Sequence, residues 1–207
     1  MKDPQPYIVT LDVNIYLTVA RMLGPGFTDK QFMDRVSNAG PHDMDVFALF
    51  QGLMKPYPDG GHVEVWTGQH IIETALCKAE QDLDGPTVEE SGLGWTIEQS
   101  QSIANMIFRI QTLTQGGFVI EDGTYLCPPL DYEDGCVMQC AKTAHSDLNL
   151  CHRYCITYDY EMIDVAREST QVKVVSPATW CTKRRMVKAA RKLGNASNLM
   201  RLIHGSH

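Results

Sequence analysis

The feature that most restricts this fold is a recurrence: a short apolar, β-branched run is followed, almost at once, by a segment with helical spacing. Tyr7-Ile8-Val9-Thr10-Leu11 leads into residues 13–23, and residues 62–66 lead into 67–82, where Ile71, Ile72, Ala75, Leu76 and Ala79 recur at threes and fours. The same order returns at 154–157 with 160–167, and at 172–175 with 177–192. Further helical patterns cover 27–39, 44–54, 96–115 and 130–145, with Thr28 as N-cap of the first and Ser176-Pro177 opening the last of the strand-linked helices. Residues 118–126 read as a small hairpin or an irregular segment. Strands separated by helices cannot pair as hairpins and need crossovers, so the expected fold is α/β: a three-layer α/β/α sandwich around a central parallel sheet. In such sheets chemistry collects at the carboxyl ends of the strands.

The chain has 207 residues, 43% apolar and 21% charged, which suits one folded domain with elaborations. No apolar run reaches the roughly 18 residues of a membrane span, and Met1-Lys2-Asp3-Pro4 lacks the basic and apolar regions of a signal peptide. No membrane partner and a cytoplasmic location are therefore expected. Seven cysteines, an odd number, point to reduced thiols. Charge is uneven. The last acid is Glu168, and beyond it lie eight of the 18 bases, which leaves ten bases against 25 acids, a charge of −15, before that point. An acidic body argues against a protein that coats nucleic acid, whereas the basic tail offers a local phosphate footprint or a plain solvated helix face.

Asking which polar residues follow each apolar run returns acids each time. Asp12 follows 8–11, Asp159 follows 155–158, Glu73 lies about two turns into the helix after 62–66, and Asp134 falls in the first turns of the helix near Asp131. Carboxylates drawn to one end of a sheet repel and raise each other's pKa unless a cation neutralises them, and hard oxygen ligands select Mg²⁺ or Mn²⁺.

The segment Val9-Thr10-Leu11-Asp12-Val13-Asn14 resembles the opening strand of PIN-domain nucleases. Residues 63–76, VEVWTGQHIIETAL, resemble that family's second strand and helix, with Thr67 at a small hydroxyl position and Glu73 at the second acid. Asp134-Gly135-Cys136-Val137 is similar to its third acidic segment, Ile156-Thr157-Tyr158-Asp159 to its fourth, and Val174-Val175-Ser176-Pro177 to a late strand and helix start of the toxin-like members. The resemblance spans most of residues 7–180 in order. It implies a PIN-like nuclease domain over 1–180, with 181–207 as a basic helical extension, that hydrolyses RNA by metal-activated water. Asp12, Glu73, Asp134 and Asp159 would be catalytic and metal-holding, with Asn14, Thr157 and Asp131 orienting or assisting them. For toxin-like members it further implies an antitoxin protein as partner and a homodimer. Lys183, Arg184, Arg185 and Lys188 are the candidate RNA-binding residues, on a face expected beside the acids.

Other readings stay open. The same acids at strand ends and helix starts serve as N-caps in an inactive interaction module. A phosphatase with Asp12 as nucleophile would want a second carboxylate two residues on, where Asn14 stands. Cys127, Cys136, Cys140, Cys151 and Cys155 with His145 and His152 suggest zinc, although no Cys-x-x-Cys pair is present and Cys155 falls in an expected buried strand.

Overall fold

The computed structural model describes residues 5–40, 46–83, 92–120, 129–145, 151–166 and 171–204. Along the chain run β1 (Tyr7–Leu11), α1 (Val13–Leu23), α2 (Asp29–Ser37), α3 (Val46–Leu53), β2 (Val63–Gly68), α4 (Gln69–Glu80), α5 (Ile97–Thr114), β3 (Phe118–Val119), α6 (Tyr132–Thr143), β4 (His152–Ile156), α7 (Tyr160–Val165), β5 (Lys173–Val175) and α8 (Pro177–His204). Every strand pairing is parallel, and the sheet order is β3-β2-β1-β4-β5. The three-layer α/β/α architecture is thus present.

Local chemistry explains the element ends. Thr28 and Thr96 each cap a helix and close a capping box with Gln31 and Gln99, three residues on. At the other end of α5, Gln115 takes a left-handed conformation, and the chain then passes so close to β2 that a side chain on Gly116 would strike the Val65 carbonyl. Only glycine fits there. The next residues pair with β2 as the two-residue strand β3, Thr67 opposite Phe118. Of the segment expected as a small hairpin or irregular stretch, these residues form a parallel edge strand, and residues 121–126 lie outside the described residues.

Strand periodicity sorts the layers. Tyr7, Val9 and Leu11 share a face with Tyr154 and Ile156, and Trp180 of α8 packs against Tyr7 and Tyr154 there, beside α3. On the other face, Arg153 donates to the Ala141, Ala144 and His145 carbonyls at the end of α6. That guanidinium meets the negative end of the helix dipole. β1 is buried throughout, as a central strand covered on both faces must be. The expected boundary after residue 180 falls inside α8, which is continuous and packs on α3 from the body.

Candidate acidic site

The sheet reverses its direction of growth between β1 and β4, because β2 and β3 add on one side of β1 while β4 and β5 add on the other. Open α/β sheets leave a crevice at such a switch, beyond the carboxyl ends of the strands. Asp12 and Thr157 stand at that point, one residue past the paired Leu11 and Ile156, and the Asp12 amide donates to the Ile156 carbonyl at 3.0 Å.

Asp12 is 4% exposed and held on every side. Its Oδ1 accepts from the Val13 amide at 2.6 Å, making it the N-cap of α1. Its Oδ2 accepts from Asn14 Nδ2 at 2.5 Å and Thr157 Oγ1 at 2.6 Å. Asn14 Nδ2 also reaches Thr157 Oγ1, and its Oδ1 accepts from the Tyr158 amide. Thr157 Oγ1 accepts in turn from the Asp159 amide at 2.8 Å. Asn14 and Thr157 therefore fix both the orientation of Asp12 and the turn that carries Asp159. Burial pushes the Asp12 carboxyl up to about 6, against the opposing pull of Thr157 and Val13, and Glu133 and Asp159 add repulsion.

Asp134, in the first turn of α6, is half-buried. Its carboxyl is raised to about 7 by burial, then by the charges of Asp12, Asp131, Asp159 and Glu133. Asp12 and Asp159 stand at two strand–helix junctions, and the charges of both bear on Asp134 in the first turn of α6. Glu73 stands apart: it is exposed on α4, and Gln69 Nε2 donates to it at 2.6 Å. The acid that α4 helps to place is Glu133, through Lys78 at 2.8 Å. No local pattern marks Lys78, since its partner lies 55 residues away.

Asp131 and Asp159 are helix caps as well, Asp131 Oδ1 accepting from the Asp134 amide and Asp159 Oδ1 from the Met162 amide. The donor set, hard and anionic, is chemically suited to a divalent cation. Yet among the described residues no three His, Cys, Asp or Glu side chains gather closely enough to hold an ion. Among the described residues the cysteines do not assemble a centre either. Cys136, Cys140 and Cys155 are buried in the core, Cys151 is half-buried, and Cys127 lies outside the described residues. Burial pushes the Cys155 thiol well up. His145 sits edge-on to Trp66 and His152 lies against Tyr7.

The basic tail does not flank the acids. α8 starts at the carboxyl end of β5 and runs back, so that Lys183 lies over the Tyr154 ring and Arg184 donates to the Lys55 and Pro56 carbonyls, in the loop entering β2. Arg191 reaches the Pro58 carbonyl in the same loop. These bases occupy the amino-terminal end of the sheet, the reverse of the expected placement, because a helix leaving a parallel strand must return along it.

No protein-family model matches the chain, and no curated protein and no solved structure matches it either. Among the described residues, no helix is long and apolar enough to cross a membrane.

Proposed function

We propose that the protein is a metal-dependent endoribonuclease, hydrolysing RNA phosphodiester bonds at the carboxyl end of β1 and β4. One observation carries the reading: Asp12 and Asp134, from distant parts of the chain, each have their proton affinity raised, first by burial and then by surrounding acids, Asp159 among them. A structural acid gains nothing from such company, whereas an acid that must bind a cation or a proton does. Asp12, Asp134 and Asp159 are the acids that would have to close on Mg²⁺ or Mn²⁺, since they do not stand at ligating distance of one another; the ion, when bound, would neutralise them and the approaching phosphate and acidify nearby water.

The remaining work falls to the chain. Asn14 and Thr157 keep the Asp12 oxygens turned to one side. Without metal, burial and the neighbouring acids raise the Asp134 carboxyl to about 7, so it is the acid whose charged form a bound cation would favour most. The test is cleavage of single-stranded RNA with Mg²⁺ or Mn²⁺, its loss on chelation, and its loss in Asp12→Asn and Asp134→Asn variants whose folding is checked by circular dichroism. Undiminished cleavage by both variants would overturn the reading.

A second reading, an inactive interaction module, draws on the capping roles of Asp12, Asp131 and Asp159. It expects no cleavage by the parent protein and a loss of stability in the same variants.

A further inference from the structure

We infer that the cleft between α3 and α8, at the amino-terminal end of the sheet, is a binding site for a phosphate-bearing anion, separate from the carboxylates. The cleft measures about 220 Å³ and is lined by Lys55, Arg184, Arg185 and Lys188, with Gly52 and Gln51 on the α3 side. Four cations therefore face one small volume, and among the described residues no acid lines it.

Arg184 organises the site. Its guanidinium lies over the Tyr57 ring at 5.1 Å and is pinned by the Pro56 carbonyl at 3.0 Å and the Lys55 carbonyl at 3.5 Å. The guanidinium also lies close to the α3 backbone, since a Cβ on Gly52 would stand in van der Waals contact with Nε, at 3.5 Å. These partners are carbonyls and a ring face, which orient a guanidinium without neutralising it. Asp59 acts on Arg184 only from a distance, and its own oxygens accept from the Tyr7 hydroxyl and the Gly61 amide.

A structural explanation is available, that the bases answer the negative carboxyl terminus of α3. Magnitude decides against it as a full account, because a helix end carries roughly half a charge, against the formal positive charges of Lys55, Arg184 and Lys188. A planar, oriented guanidinium beside flexible ammonium groups is the arrangement that suits phosphate. The nearby lysine pair repeats the excess: Lys173 and Lys183 both lie over Tyr154, and burial together with Lys173 lowers the Lys183 pKa.

The experiment uses the full chain in chelator-containing buffer, with inorganic pyrophosphate titrated against chloride at matched ionic strength and thermal unfolding as the readout. Pyrophosphate should raise the melting temperature of the parent and of Lys192→Gln, and should not raise that of the Lys55→Gln, Arg185→Gln, Lys188→Gln triple variant. Those three side chains are exposed, so the variant keeps its packing, and Arg184 is left in place. Equal shifts in parent and triple variant, or none beyond chloride in the parent, would overturn the inference. So would a shift that emerges only after Asp43 and Asp45, acids close behind Gly40 in sequence, are changed to Asn. Single-stranded RNA on an Asp12→Asn background separates the sources of phosphate. If its salt dependence flattens by up to about three units in the triple variant, roughly one for each phosphate no longer neutralised, the anion is a polynucleotide backbone. If the slope holds while the pyrophosphate shift disappears, it is a small phosphate compound. Neither readout depends on cleavage.

Discussion

The two ends of the sheet are built on opposite plans. At the carboxyl end, acids are crowded where burial makes their charge costly, and the groups that hold them are hydrogen-bond donors from Asn14, Thr157 and backbone amides. At the amino-terminal end, Tyr7, Tyr57, Tyr154 and Trp180 pack into one aromatic cluster, and the basic side chains around it are exposed or half-buried. Stability therefore resides in the aromatic end, while the acidic end gives up stability for an electrostatic field. Between about pH 4 and pH 7 the shifted groups are those of the acidic end, Asp12 and Asp134.

The largest expected effect breaks the aromatic end. Trp180 is fully buried, so Trp180→Ala should cost about 3–5 kcal/mol in denaturant unfolding, and a loss below about 1 kcal/mol would refute the assignment of stability to this cluster.

Next comes pH. The folded-state pKa of Asp12 lies above its unfolded value, 3.8 against about 6, so the native state binds more protons between them. The stability associated with its protonation is complete below about pH 4 and is lost as pH rises through 6, a change of about 3 kcal/mol. Asp134, raised to about 7, extends the fall toward neutrality. In metal-free buffer the parent should lose stability from pH 4 to pH 7, and Asp12→Asn should flatten that slope and be no less stable than the parent at pH 7. A parent that gains stability over this window would contradict the electrostatic picture.

A smaller effect sharpens it. Thr157→Val removes the donor that lowers the Asp12 pKa and the acceptor for the Asp159 amide, at a cost of about 1–3 kcal/mol. Carboxyl titration followed by NMR should show Asp12 moving further up; an unmoved Asp12 would deny the bond its role. The smallest effect belongs to Lys78, whose pair with Glu133 is one-third exposed. Lys78→Gln should cost less than about 1 kcal/mol, yet leave Glu133 less compensated and push Asp134 higher. A larger loss would mean that the pair, not the sheet, holds α6 in place.

Much of this architecture was legible in residue order. Runs such as Tyr7–Leu11 declare a buried strand by composition alone, and Thr28 with Gln31, or Thr96 with Gln99, declare helix starts through side chains three residues apart. β3 was not legible as a strand. It is two residues long with Phe118 exposed, and what makes it a strand is its pairing to Thr67 and Gly68. Asp12 and Asp159 could be named as candidates from the strand ends they follow, and Asp134 from the helix start near Asp131. Glu73 could be named by the same reasoning, but α4 turns it outward and places Lys78, with Glu133, toward the acids.

What the sequence determined by itself was therefore everything governed by short-range chemistry: the alternation of strands and helices, their caps, the parallel sheet that alternation demands, and the set of acids and bases available. Tertiary structure alone decided which of them meet. Thr157 reaches Asp12 across 145 residues because β1 and β4 pair in one register, and a slip of one residue would turn their side chains to opposite faces. Arg184 lies far from the acids because α8 runs antiparallel to the strand it follows and must travel to the other end of the sheet to bury Trp180. Register and helix direction are properties of packed neighbours, and no window along the chain contains them.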